Sequence, residues 1–135
     1  MVGGTVESAV VFEDEVSLAF LDRRPVFPGH CLLVPKAHYE TLDELPGSLV
    51  GHLFMNVQML SRAVELGLNA DGTFVAINNR VSQSVPHLHV HIVPRRRGDG
   101  LRGFFWPRQE YTDEDHIREV REAIQEAIGR IKAGN

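Results

Sequence analysis

Cysteine is nearly absent from this chain: Cys31 is the only one in 135 residues. An internal disulfide is therefore excluded, and the composition suits a reducing compartment, so a cytoplasmic location is expected. Cys31 sits in an apolar run and reads as a small packing residue rather than a nucleophile. No apolar run approaches the roughly 18 residues that a membrane span requires. Met1-Val2-Gly3-Gly4-Thr5 has neither a basic segment nor an apolar core, so no secretory leader is expected. Positive charge is in deficit, with 14 Lys and Arg against 18 Asp and Glu and a net charge of −4, which argues against a nonspecific nucleic-acid binder. Internal repeats and low-complexity linkers are also missing. The expectation is one domain spanning residues 1–135, with neither membrane nor nucleic acid as partner.

What the chain does have is histidine in one place. Val85-Pro86-His87-Leu88-His89-Val90-His91-Ile92-Val93-Pro94 carries three imidazoles at spacing two, with β-formers between and after them. A period of two predicts a strand. Its side chains alternate faces, so His87, His89 and His91 line one face in steps of about 7 Å, and Leu88, Val90 and Ile92 enter a core on the other. Imidazole is a common metal ligand, and His87 with His89 could hold zinc in a metallohydrolase. Imidazole is also a nucleophile toward acyl and phosphoryl groups. The outer two rings of a flat strand stand about 13 Å apart at the backbone and cannot easily share one ion, so a row suits an extended substrate better. Asn78, Asn79, Gln83 and Ser84 precede the strand as uncharged donors suited to phosphate oxygens or a leaving group.

Elsewhere, Ala9–Phe12 and Val16–Leu21 predict a hairpin around Glu13-Asp14-Glu15. His30–Val34 predicts a third strand and Thr73–Ile77 a fourth. Leu49, Leu53, Val57, Leu60 and Val64 fall at helical spacing over residues 47–66, with Gly67 as the expected stop. Val50, Phe54 and Met55 widen that helix's apolar surface, which suits either burial within the monomer or a second subunit. A last helix over about 112–132 is expected to start at Thr112, paired with Asp115, and to bury Ile117, Val120, Ile124, Ala127 and Ile131. Arg95, Arg96, Arg97, Arg102 and Arg108 follow the histidines. They read either as a solvated loop or as a positive field for a polyanion. Phe104 and Phe105 suit covering a sheet edge, and the aromatics here, Trp106 included, could equally stack on a base. The whole predicts an α+β domain: about five mostly antiparallel strands, a central helix and a C-terminal helix.

His87-Leu88-His89-Val90-His91-Ile92-Val93 resembles the hallmark of the histidine triad (HIT) superfamily of nucleotide hydrolases and transferases, in which apolar residues alternate with and follow three histidines. Gln83-Ser84-Val85, Phe20-Leu21-Asp22, Pro28-Gly29-His30 and Val34-Pro35-Lys36-Ala37-His38 also match, over about residues 8–108. Ser82 departs from the resemblance, which commonly has glycine there. The resemblance implies a HIT-like fold and a homodimer through the central helix and a neighbouring strand. It implies catalysis by His87, His89 and His91. His89 would attack the α-phosphorus of an adenosine (purine) nucleotide conjugate, and a nucleotidyl-histidine intermediate would release a nucleoside monophosphate. His91 would bind the non-bridging phosphate oxygens. Asp22 would accept the ribose hydroxyls, with Arg23 beside the base and Asn78, Gln83 and Ser84 on the phosphate or leaving group. His38 would lie next to the site. Dinucleoside polyphosphates and nucleoside phosphoramidates are the substrates implied, with no cofactor. Many relatives hold zinc with two N-terminal cysteines, which this chain lacks, so no structural zinc is expected. The alternative function is a nucleotide-binding sensor or interaction module with incidental hydrolysis.

Overall fold

The computed structural model describes residues 9–102 and 108–134. Phe104, Phe105 and Trp106 lie outside the described residues. The chain divides into two compact units, Met1–Asp99 and Gly100–Asn135.

The first unit is a five-stranded antiparallel sheet with one long helix. The strands are β1 (Val10–Glu13), β2 (Ser17–Leu21), β3 (Cys31–Pro35), β4 (Gly72–Ala76) and β5 (Val90–Arg95), in the order β1-β2-β3-β5-β4. Helix α1 (Gly47–Leu68) joins β3 to β4. The expected hairpin forms, with β1 antiparallel to β2 and its register shifted between Val10 and Phe12. Asp14 closes its turn. Its Oδ1 accepts from the backbone N–H groups of Val16 and Ser17, and its Oδ2 accepts from His52 and Asn56 of α1. Burial works to raise the Asp14 pKa, but these hydrogen bonds outweigh it and hold the carboxyl below the usual carboxylate range.

Strand alternation divides the sheet into two faces. Ala19, Cys31, Leu33, Val90 and Ile92 turn inward and meet Leu53, Val57, Leu60 and Val64 of α1 in one core, joined by Leu88. Fully burying each such Leu or Val contributes about 1.5–3 kcal/mol, which is why the helical stripe locks to this face. The opposite face carries a second cluster, Leu18, Phe20 and Val34, with Leu32 packed against it. Register places Phe20 opposite Leu32, and Leu32 opposite His91, so an apolar row crosses β2 and β3 and ends at an imidazole on β5.

Three local expectations change. Gly67 does not stop α1. The helix runs to Leu68 and is capped by Asn69, left-handed at φ +53°, whose N–H donates to the Glu65 carbonyl. Asparagine tolerates this conformation because its short polar side chain bonds locally. Arg96 adds a guanidinium bond to the Leu68 carbonyl at 2.7 Å, and Arg95 bonds Asp99 twice, at 2.7 and 2.9 Å. These two arginines thus cap a helix and brace a turn. The triad stretch, finally, is not one strand: β5 begins at Val90, so His87 and His89 precede it and only His91 lies on it. The N–H of His87 closes a tight turn onto the Val85 carbonyl, and the N–H of Leu88 reaches the Tyr39 carbonyl. These bonds replace a continuous strand ladder.

In the second unit, α2 spans Glu114–Lys132. Its N-cap is Asp113, not Thr112: the Asp113 carboxylate accepts from the His116 N–H at 2.8 Å, and His116 Nδ1 accepts in return from the Thr112 N–H at 3.1 Å. An anionic cap suits the positive helix end. None of its residues is buried. Ile117, Ile124 and Ile131, expected in a buried stripe, are exposed. No helix among the described residues is long and apolar enough to cross a membrane.

Candidate active site

Both faces of the sheet contribute to where the histidines end up. Leu88, Val90 and Ile92 are fully buried against α1, as the alternation predicts. That anchoring turns His89 and His91 outward, where their rings meet edge to face with centroids 5.0 Å apart. They border a cavity of about 200 Å³ that is also lined by Phe20, Asp22, Leu32, Val34, Ser84, Val85 and His87. The lining combines apolar side chains with imidazoles, a hydroxyl and a carboxylate.

The hydrogen bonds fix how each ring is protonated. His89 Nδ1 lies 2.7 Å from the His87 carbonyl oxygen. A carbonyl only accepts, so Nδ1 carries a proton, and in the neutral form of the ring the lone pair is on Nε2. His87 is spent differently. Its Nε2 donates to the Pro35 carbonyl at 2.9 Å, and its Nδ1 faces His38 Nδ1 at 3.1 Å with the rings stacked. Burial lowers the His87 pKa, against the pull of the Pro35 bond, so the ring is neutral and His38 is the donor to it. With both nitrogens engaged inside the protein, His87 braces the segment that carries the His89 acceptor.

His30 enters the site although the residues around it suggested only a strand start. The N–H of Val26 donates to its Nδ1 at 3.2 Å. Its Nε2 lies 3.0 Å from His91 Nδ1. The pKa of His91 is pushed down to about 4, chiefly by burial and then by the neighbouring His89 and His30, with Asp22 opposing. Burial lowers His30 as well, again with Asp22 opposing. Two neutral rings leave one arrangement: His30 Nε2–H donates to His91 Nδ1, and His91 carries its own proton on Nε2. The 3.8 Å approach of Asp22 Oδ2 to His30 Nδ1 is therefore a close contact of a carboxylate with a neutral ring rather than an ion pair. The signal for His30 in the sequence was its place in Pro28-Gly29-His30. Gly29 has φ +103°, and a Cβ there would stand 2.1 Å from Leu68 Cδ1, so the turn that aims His30 requires glycine.

Of the other expected site residues, Asp22 and Ser84 line the cavity. Asp22 Oδ1 also accepts from the Arg24 N–H at 2.9 Å, so it closes a turn and faces the cavity at once. Arg23 and Asn78 are exposed and do not line it. Gln83 is turned away, onto the Glu40 carbonyl and the Arg80 N–H. Asp22, His30 and His91 each offer one atom within 4.8 Å of the others, the set among the described residues that could hold a metal ion. In this structure His30 and His91 are bonded to each other instead. Cys31 offers no thiolate: it is buried, its thiol contacts the Gly29 carbonyl, and burial raises its pKa.

The HIT domain family matches residues 4–98. A solved structure of a HIT family member from Bacillus subtilis superposes with a TM-score of 0.79 at 33% identity, covering 93% of this chain and 91% of that one. An adenylylsulfatase of Arabidopsis thaliana is 37% identical over 93 residues, 67% of this chain and 47% of that protein. A bis(5'-adenosyl)-triphosphatase of Dictyostelium discoideum is 35% identical over 95 residues, 69% of this chain and 64% of that protein. A family match over most of the chain, carried on the same fold, settles the class: the chain belongs to the HIT family.

Proposed function

We propose that this chain is a nucleotide hydrolase that cleaves adenosine (purine) nucleotide conjugates at the α-phosphate through a nucleotidyl intermediate on His89. The observation that carries the reading is the His89 ring. The His87 carbonyl holds a proton on its Nδ1, so in the neutral ring the lone pair is on Nε2, in a residue that borders the cavity. An imidazole nucleophile needs that tautomer, because only an unprotonated nitrogen can attack.

In the proposed reaction the nucleoside lies along the apolar side chains Phe20, Leu32 and Val34, with Asp22 accepting the ribose hydroxyls. His89 Nε2 attacks the α-phosphorus, and the bond to the leaving group breaks. His91 Nε2–H donates to a non-bridging oxygen as negative charge gathers there, and His30 holds that tautomer in place. Water then attacks the phosphorus, releasing a nucleoside monophosphate and freeing His89. His87 supports this chemistry from behind, through the carbonyl that orients His89. Dinucleoside polyphosphates and nucleoside phosphoramidates are the substrate classes proposed. The activities named for the Dictyostelium and Arabidopsis relatives support adenylyl conjugates and differ in leaving group.

The protein is further proposed to act as a homodimer. Val50, Phe54, Met55 and Met59 of α1 are exposed, beside Val75 on the edge strand β4. An apolar helix face next to an open sheet edge suits a two-fold partner of the same kind.

The test is a panel of adenosine phosphoramidate, diadenosine tri- and tetraphosphate and adenylated sulfate, with turnover set against the affinity for a nucleoside monophosphate. Turnover of at least one conjugate, with AMP as product, is expected. Tight nucleotide binding with no turnover on any of the four would replace the hydrolase by a binding module.

A further inference from the structure

The loop that leads from β4 into the histidines is held in a conformation its residues do not favour. Arg80 has φ +70° and Ser82 φ +61°, both left-handed without being glycine. Side chains crowd the backbone in that region, so such residues persist only where their surroundings over-determine them. The surroundings here are the segment 39–44. Gln83 Nε2 donates to the Glu40 carbonyl at 2.5 Å, while Gln83 Oε1 accepts from the Arg80 N–H at 2.8 Å. Asn79 Oδ1 accepts from the Leu42 N–H at 2.9 Å, and the Arg80 guanidinium donates to Asp43 at 3.0 Å. Glu40 is fixed in turn, its N–H donating to Glu44 Oε1 at 3.0 Å. The two residues after this clasp, Ser84 and Val85, line the cavity, and Gln83 does not.

We propose that Gln83 is a positioning residue: its amide clasps the strained loop to residues 39–44, holds Ser84 at the cavity, and acts on the reaction without touching substrate. The proposal rests on the nucleotide-hydrolase reading and departs from the resemblance, which puts Gln83 on the phosphate or leaving group. The chemistry of the position calls for an amide. One side chain must donate to a carbonyl and accept from an N–H together, and a carboxylate, which only accepts, would set its charge against the Glu40 oxygen. The Arg80–Asp43 pair is open to solvent on both sides, at 65% and 63% exposure, so the ion pair holds little by itself. Ser82 shows why the loop needs holding: it stands in the left-handed region, where glycine would sit without cost.

The experiment joins amide hydrogen exchange on the nucleotide-free protein, for Gln83→Ala and Gln83→Glu, with kinetics of Gln83→Ala, Ser84→Ala and the double variant. The Arg80 amide should exchange at least tenfold faster in Gln83→Ala, and the Leu42 amide, held by Asn79 across the same clasp, at least tenfold faster in both Gln83 variants. Gln83→Ala should lower kcat about tenfold with KM changed less than threefold, because the apolar side chains and Asp22 are intact. In the Ser84→Ala background it should add no more than twofold. Gln83→Glu keeps the side-chain length, so it reports on the clasp where Gln83→Ala fails to fold. Unchanged exchange with lost turnover, or Gln83 and Ser84 losses that multiply, would make Gln83 a direct substrate contact and overturn the proposal. Absence of wild-type turnover would sink the hydrolase reading instead, and the exchange rates alone would then decide the clasp.

Discussion

The Nδ1 proton of His89 is given to the carbonyl oxygen of His87 at 2.7 Å, so the backbone of one triad histidine sets the tautomer of the next. This contact makes the two residues unequal. His89→Ala should abolish nearly all turnover while nucleoside monophosphate binding survives on Asp22 and the apolar side chains. His91→Ala should retain slow turnover, with a loss of about 3–4 kcal/mol in barrier, the usual effect of removing one oxyanion donor. Wild-type enzyme quenched during turnover should carry an acid-labile, base-stable adduct on His89. Mapping of that adduct to His87 or His91, or greater residual activity in His89→Ala than in His91→Ala, would refute the assignment.

Stability should fall with acid in a window set by His91. Its folded pKa is about 4 against 6.5 for a free imidazole, so between those values the unfolded chain binds the proton that the folded site refuses. The stabilisation is full above about pH 6.5 and is lost as pH falls through 4, by about 3 kcal/mol at most. His30 adds in the same direction. Urea midpoints across pH 4–7 should slope downward toward acid in the wild type and less steeply in His91→Asn. An equal slope in both proteins counts against a half-buried His91 held neutral in the folded site.

Assembly is tested at the exposed helix face. Phe54→Glu or Val50→Glu should convert a dimer to a monomer in sedimentation equilibrium at micromolar concentration. Desolvating a carboxylate inside an apolar contact costs far more than the contact returns. A wild-type chain that sediments as a monomer under the same conditions ends the dimer reading.

Metal dependence is tested by exhaustive chelation, which should leave both turnover and the thermal midpoint unchanged. Elemental analysis of protein purified without added metal should find less than stoichiometric zinc. One zinc per chain would contradict the expectation, and loss of that zinc in His30→Ala would then place the ion at Asp22, His30 and His91.

Much of the architecture is legible because it follows from local periodicity. The stripe Leu53, Val57, Leu60 and Val64 can bury only as a helix, and Leu88, Val90 and Ile92 can reach a core only by alternating with the histidines. The helix boundary was less legible, since Gly67 and Asn69 both suit a C-terminus and the structure ends α1 at Asn69. The Arg95–Arg97 run is open to two readings for a related reason. Composition shows charge, but which groups the Arg95 and Arg96 guanidinium groups meet, Asp99 and the Leu68 carbonyl, is fixed only by the fold.

The sequence by itself therefore determined most of the elements, the resemblance to the family and the three triad imidazoles at the site. Spacing and residue chemistry act along the chain, and they survive without knowledge of its path. Tertiary structure alone decided what each ring does. His87 is spent on Pro35 and His38, His30 comes from 61 positions away to hold His91, and Gln83 turns from the cavity to Glu40. A ring nitrogen's role depends on which acceptor lies within about 3 Å of it. That acceptor is brought there by the fold, not by the neighbours in sequence.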